Sequence, residues 1–440
     1  MQKSARRCLC LLIILCGEFV FSQVEPPKGP LVLKAARLVD VRAGAIVVSA
    51  VVVIENGKVS ASGSNLAIPK GARVVELGDL TLMPGLIDCH THLLLAFDGG
   101  KSDEENSLLT TLQMSTAKRA LMGAADAREM LEAGFTTVRD LGNSGYEGDL
   151  ALRDAINAGW VQGPRMVVSS RALSAVGGQA PSVVAKAQEL IAEEYAVVTG
   201  ADEARRAVRQ AAYDGADWIK VIVDGSVNTL SLDEVRAIVQ EAHAVNLRVA
   251  AHATSDTAVR IAVAAGVDSV EHAYEVSDET LAMMSAKHIF LVPTDRPITS
   301  YLGSGSLTGK AREDAETRMK PFVTANGERL QRAAKAGVKI ASGSDTYYRR
   351  GDETRGQSSM RMFEAYAATN MPPIEVLRTG TLNAAELLRL PIGSIEAGRD
   401  ADIIAVQGDP LKDISSLNHV IFVMKAGQIV RNDVVQSAPR

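Results

Sequence analysis

Five side chains in this sequence have the types to hold divalent cations and activate water, and a sixth, a lysine, stands in a matching strand setting. His90 and His92 stand two apart in MPGLIDCHTH (83–92). His252 falls in LRVAAHA, His272 in VDSVEHA, Asp345 closes VKIASGSD, and Lys220 interrupts the apolar run WIKVIV. Imidazole nitrogens and carboxylate oxygens suit zinc and also accept manganese or cobalt. A bound divalent cation makes water acidic enough to act as a nucleophile near neutral pH. Taken singly, each feature is ordinary: an HxH pair occurs in turns, and an aspartate after a strand is usually a helix cap. A lysine inside an apolar strand is odd, because burying an ammonium without a partner is costly. His243, His288 and His419 lie in a helix, before a strand and in the C-terminal β region, and are assigned structural or surface roles.

The elements that must position these groups repeat one phrase. A helical stretch ends in Gly or a small residue, and a short apolar strand follows at once, as in MLEAG-FTTVRDL, AAYDGAD-WIKVIV, AVAAG-VDSVEHA and RAAKAG-VKIASGSD. Gly caps the helix in the left-handed conformation and β-branched residues open the strand. Near-continuous apolar strands suit a parallel sheet covered on both faces. Eight are predicted, at 86–92, 135–140, 165–170, 217–222, 247–252, 267–272, 289–294 and 338–345. Eight such units predict an α/β fold of the (β/α)8 TIM-barrel type, with a doubly wound open sheet as the alternative. In a barrel the six side chains sit toward the C-terminal ends of five strands and converge, and this joint placement predicts a metal site. The flanks alternate and carry hairpin signals at Asn56-Gly57 and Ala426-Gly427, predicting a small β-sandwich built from both termini. The predicted organisation is a signal peptide (1–22), N-terminal sandwich (23–82), metal-dependent hydrolase barrel (83–387) and C-terminal sandwich (388–440).

Composition narrows the field. The 440 residues include 47 basic and 52 acidic side chains, for a net charge of −5, and 47% are apolar. There is ample material for a core, so intrinsic disorder is excluded, and no basic block suggests nucleic acid. Lys3, Arg6 and Arg7 precede CLCLLIILCG, an apolar stretch too short to span a bilayer. This reads as a secretory signal cut ahead of Gln23, which predicts a periplasmic or secreted protein with a mature charge of −7. Later residues hold no apolar run long enough for a membrane span. The cut removes three of four cysteines, leaving Cys89, read as a buried structural thiol that alternates with His90 and faces the helices.

The set GLIDCHTH, WIKV, the two later histidines and SGSD, with the tail GSIEAGRDADIIAVQGDPLKDI, resembles the amidohydrolase superfamily over about residues 30–433. The likeness is to the branch that includes imidazolonepropionase-related proteins, Xaa-Pro dipeptidases and ochratoxin-hydrolysing amidohydrolases. The resemblance implies two divalent ions, zinc by preference. His90, His92 and Asp345 would hold one, and His252 and His272 the other. Lys220, carboxylated on its amine, would bridge them. Imidazolonepropionase itself uses one metal and lacks the bridging lysine, so Lys220 argues for two. The implied reaction is hydrolysis of an amide by activated water with Asp345 as the catalytic base, in a homo-oligomer. The implied substrate is small: a dipeptide or N-acyl amino acid, ochratoxin-type amides included. The alternatives are a cyclic amide or lactone, or a catalytically dead barrel that binds a ligand.

Substrate contacts should come from loops after the strands. The residues selected are Gln179, Ser226, Asn228, Tyr347 and Arg349, from a ring that also offers Arg171, Asp224, Tyr274, Arg296, Tyr348 and Arg350. An arginine in this ring could grip a substrate carboxylate. Gln179 stands where close relatives often carry histidine, and an amide cannot carry a proton at neutral pH.

Overall fold

A computed structural model describes residues 29–97, 101, 103–302, 307–348 and 351–434. The leader at 1–22 and Arg349 and Arg350 lie outside the described residues. Five strands come first: β1 (Leu31–Asp40), β2 (Ala45–Glu55), β3 (Lys58–Ser64), β4 (Arg73–Glu76) and β5 (Leu80–Pro84). The barrel region supplies β6 (Leu86–Thr91), β7 (Phe135–Asp140), β8 (Arg165–Val168), β9 (Ala172–Ser174), β10 (Tyr195–Val197), β11 (Trp218–Ile222), β12 (Arg248–Ala253), β13 (Ser269–His272) and β14 (Phe290–Val292). The tail adds β15 (Ile403–Gln407), β16 (Val420–Lys425) and β17 (Gln428–Asn432).

The two termini form one mixed sheet in the order β17-β16-β15-β5-β1-β2-β3, with β4 also paired to β1. The sheet curls until β3 meets the segment ahead of β15, where Val59 N donates to Arg399 O and Gly398 N to Val59 O. Leu33, Val52, Leu82, Ile403 and Phe422 pack in its interior. The Asn56-Gly57 and Ala426-Gly427 hairpin turns touch tip to tip. Both glycines have positive φ, and a Cβ on Gly427 would lie 2.7 Å from Gly57 Cα.

The barrel strands lie in two parallel sheets, β6-β7-β8 and β10-β9-β11-β12-β13-β14. Individual backbone bonds, not continuous ladders, bridge the two seams between them. At one seam the expected third strand is broken: Ser170 takes a left-handed φ of 58°, so β8 pairs β7 while β9 pairs β11. Asp217 N reaches across to Val168 O. At the other seam the expected eighth strand, 338–345, forms no ladder. It threads between β14 and β6 by Leu291 N to Lys339 O, Ala341 N to Leu291 O, Cys89 N to Ser342 O and Asp345 N to His90 O. The passage is tight: a Cβ on Gly343 would stand 2.3 Å from Val292 Cγ1 and 2.8 Å from His90 Cβ.

Helices cover the outer face, among them Thr116–Glu132, Ala201–Asp214, Leu232–Ala244 and Asp256–Ala265. Val138, Ile219, Val221, Val249 and Leu291 point outward into that helix layer. Ile87, Trp218, Ala250, Phe290, Val292 and Ala341 fill the inside together with Cys89. The thiol is buried as read from the sequence, in a cluster that also holds Ala384, Leu387 and Leu388 of the helix Leu382–Leu388. The β6/β7 register shifts at Leu86/Ile87 and at Asp88/Thr91, so strict alternation does not survive along β6. No helix among the described residues is long and apolar enough to cross a membrane.

Candidate metal centre and active site

The six side chains singled out in the sequence line one cavity of about 380 Å³ at the C-terminal end of the barrel strands. His90 and His92 come from β6, with ring centroids 5.2 Å apart. Asp345 Oδ1 lies 3.4 Å from His92 Nε2 and 3.7 Å from His90 Nε2. These three offer ligand atoms within 4.8 Å of one another. Lys220 Nζ stands 3.4 Å from His90 Nε2. The His272 ring is 4.5 Å from that of His252 and 5.1 Å from that of His90.

Backbone conformation makes this convergence possible. In the β12/β13 ladder His252 lies opposite Glu271, and His272 lies opposite Ala253. Alternation alone would therefore turn His272 away from His252. A left-handed φ of 72° at His272 brings the ring back, and Asp345 (46°) and Thr294 (57°) share that sparsely populated conformation. Such strain persists only where the surroundings hold it, and it clusters at functional sites.

The imidazoles are tied on one nitrogen. His90 Nδ1 meets Glu271 Oε2 at 2.8 Å. His92 Nδ1 meets Gly142 O at 2.9 Å, and His272 Nδ1 meets Thr294 Oγ1 at 2.7 Å. Each ring thus keeps Nε2 for the cavity, the arrangement that fixes tautomer and orientation in metal-ligating histidines. Burial, with Lys220 adding to it, holds His92 down to about 3 and His252 to about 4. Burial also pushes His90 and His272 well below the usual imidazole range. All four rings are neutral near pH 7, the form that donates a lone pair to a cation. Burial lowers Lys220 to about 8, against the pull of Glu271 and Asp345.

Sequence reasoning missed the groups behind this set. Glu271 is fully buried and accepts from His90, from Arg139 Nη2 at 2.8 Å and from Ser269 Oγ at 2.6 Å. Arg139 also donates to Cys89 O and lies 4.5 Å over the Trp218 ring. Asp88 Oδ1 accepts from the backbone of His90 and of Ser344, joining β6 to the eighth segment. A charged residue inside an apolar strand was the available signal, and it was used for Lys220 but not for Arg139 or Glu271.

The selected substrate contacts divide. Gln179, Ser226 and Tyr347 line the cavity. Gln179 Nε2 lies 3.3 Å from His252 Nε2, and Ser226 Oγ holds the Gln179 carbonyl at 2.7 Å. Asn228 is outside the lining, its amide bonded to Val176 O. Arg171 faces a separate cavity outside β9 and β10 and donates to Ala192 O. Asp224 and Tyr274 are in the lining, and so are Phe97, Asn143 and Tyr195, which the sequence reading did not select. Of the remaining histidines, His243 pairs with Asp268 at 2.9 Å, and His288 takes the left-handed position after its helix.

A profile of the amidohydrolase family matches residues 81–430. The chain belongs to the amidohydrolase family. Among curated members it is 30% identical over 379 residues to ochratoxinase of Aspergillus niger, covering 80% of this chain and 75% of that protein. It is 25% identical to imidazolonepropionase of Fusobacterium nucleatum over 86% of this chain and 91% of that one. Among solved structures, a Xaa-Pro dipeptidase with methionine bound in its active site superposes with a TM-score of 0.77 at 27% identity. That match covers 92% of this chain and all of the other. These amidohydrolases share the architecture described above: a largely parallel α/β body and a mixed sheet from both termini.

Proposed function

We propose that the protein is a binuclear metal-dependent hydrolase that cleaves the amide bond of a dipeptide or N-acyl amino acid. The observation that carries this reading is the convergence of four neutral imidazoles, one carboxylate and one buried lysine on a single cavity. The donor set fits the group: His90, His92 and Asp345 for one ion, and His252 and His272 for the second. Lys220, carboxylated by carbon dioxide, would lie between them. A buried amine lowered to about 8 has a neutral fraction at pH 7 that can react with carbon dioxide, and the carbamate replaces a costly buried cation with an anion. Zinc suits these ligands, with manganese or cobalt as substitutes. When bound, the ions supply a more acidic water and a polarised carbonyl.

The chain's own groups do the rest. Asp345, beside both β6 imidazoles, accepts the proton of the attacking water and returns it to the leaving nitrogen. The Gln179 amide beside His252 orients the substrate through a hydrogen bond and moves no proton. Leu95, Phe97 and Tyr347 shelter the site from bulk water on one side. The relatives named ochratoxinase and Xaa-Pro dipeptidase support an amide substrate with an amino-acid leaving group. We also infer export, with cleavage ahead of Gln23; an intact Met1 after expression in a secreting host argues against it.

Elemental analysis of protein purified without chelators, run beside a screen of dipeptides and N-acyl amino acids, tests the function. About two divalent ions per chain with amide turnover support it; no ion and no gain on adding metal overturn it. Asp345→Asn is expected to keep at least one ion while kcat falls by about 10²- to 10⁴-fold. A normal kcat removes Asp345 as the base.

A further inference from the structure

Asn143, which follows β7, and Tyr195, which opens β10, meet on the wall of the metal-centre cavity. Asn143 Nδ2 donates to the Tyr195 hydroxyl oxygen at 3.2 Å, and the Gln179 backbone N–H is directed at the same oxygen. The pair is held from behind. Asn143 takes a left-handed φ of 55°, and its carbonyl accepts from Arg119. Arg119 is ion-paired with Glu194, the residue before Tyr195, and both members of that pair are buried. One buried ion pair thus clamps two segments at the point where their side chains meet. A Cβ on Gly178 would lie 2.6 Å from the Tyr195 ring, so the loop that carries Gln179 is fitted to it as well. Backbone strain held in this way clusters at functional sites.

The clamped pair has a hydrogen-bond donor to spare. A phenol oxygen accepts through its lone pairs and donates one proton. Here the oxygen accepts from two N–H groups, and among the described residues no acceptor takes its proton. With the Asn143 amide turned over, the hydroxyl donates to Oδ1 and the Nδ2 hydrogens are spare instead. Tyr195 also walls the cavity outside β9 and β10, but Asn143 lines the metal-centre cavity and not the outer one. The hydroxyl, bonded to Asn143, is therefore at the inner end of the ring.

We propose that Asn143 and Tyr195 are specificity-determining residues: together they donate a hydrogen bond to an oxygen of the substrate's acyl group beyond the scissile carbonyl. This rests on the amide-hydrolase reading and gives the substrate a direction. Asp345 returns a proton to the leaving nitrogen, so the leaving amino acid lies on its side of the cavity, beside Phe97 and Tyr347, which are joined by Phe97 N to Tyr347 O at 2.8 Å. The acyl group extends toward the arc of Asn143, Gln179 and Tyr195. The favoured substrates are N-acyl amino acids whose acyl group carries a keto, hydroxyl or amide oxygen. A plain hydrocarbon acyl group leaves the spare donor buried without a partner, which is costly.

The test uses the full metal-loaded protein and three acids that contain no bond to hydrolyse: hexanoate, 4-oxohexanoate and 5-oxohexanoate, which represent the acyl product. Each is titrated by calorimetry into wild type, Tyr195→Phe, Asn143→Gly and the double variant; glycine accepts the positive φ. The wild type is expected to bind at least one oxo acid about 10-fold more tightly than hexanoate. That ratio should fall in at least one single variant and reach about 1 in the double variant. A merely structural role would weaken all three acids alike and leave the ratio unchanged. A ratio retained in the double variant, no preference in the wild type, or binding of none of the acids overturns the assignment. If the double variant does not fold, an unchanged ratio in both single variants overturns it. Hydrolysis of N-hexanoyl-L-phenylalanine and its oxo counterparts is measured separately. A ratio that depends on the pair without hydrolysis sinks the amidase reading alone, and hydrolysis with a ratio independent of the pair sinks this one alone.

Discussion

At Glu271 one carboxylate accepts from three donors, His90, Arg139 and Ser269, with no part of the residue exposed. The carboxylate sets the tautomer of His90 and neutralises Arg139, the cation at the centre of the barrel. Removing one member of a buried pair leaves the other charge unmatched, which is worse than never having buried the pair. Glu271→Ala is therefore expected to cost about 3–5 kcal/mol of stability and to lower bound metal. Glu271→Gln, which keeps an acceptor for either donor, should cost less. Urea denaturation and elemental analysis of both variants check this; equal losses in the two would show that the charge decides and the retained shape and acceptor do not. The same scale explains the strained residues. His272, Thr294 and Asp345 hold positive φ, and the side chain of Thr294 is bonded to that of His272.

Among elements, two hairpin turns from opposite ends of the chain meet. Gly427 packs against Gly57, Ala401 N donates to Gly57 O, and Gly427 N donates to Ala401 O. Gly427→Ala would add a Cβ at 2.7 Å from Gly57 Cα on a backbone with φ of 77°. The expected loss is about 1–3 kcal/mol. Gly159→Ala is the control: its φ is 74°, and nothing lies within 4 Å of the added carbon. Thermal unfolding of the two variants separates backbone strain from steric conflict, and an equal shift in both would remove the close approach as a cause. A similar economy of space governs the eighth barrel segment, which passes Gly343 between Val292 and His90. That passage delivers Asp345 beside the β6 histidines.

For the whole molecule, the division of labour follows the barrel axis. Ile87, Trp218, Ala250 and Phe290 make the inside dry below the site. The helix layer packs the outside, and the curled terminal sheet closes on its own core. Arg165 of β8 ties this sheet to the barrel through Asp400 and Asp402, at 3.1 and 2.6 Å. The cavity is left as the place where neutral imidazoles, Lys220 and Asp345 share a low-dielectric space, the condition under which a bound cation would be strongly held.

The sequence by itself determined the repeated helix-to-strand unit, because left-handed caps and β-branched strand starts are local preferences. It also determined which six side chains meet, because each stands at or near the C-terminal end of a strand and parallel strands present those ends together. The likeness in GLIDCHTH, WIKV and SGSD named the family on the same residues. Only the tertiary structure decided the rest. The break at Ser170 and the bare eighth segment depend on register and close packing between segments far apart in the chain. The role of Glu271 depends on Arg139 and His90, which lie 132 and 181 residues away. Local patterns report what one segment prefers; burial of a charge becomes tolerable only when distant segments bring its partners, and no single segment records that.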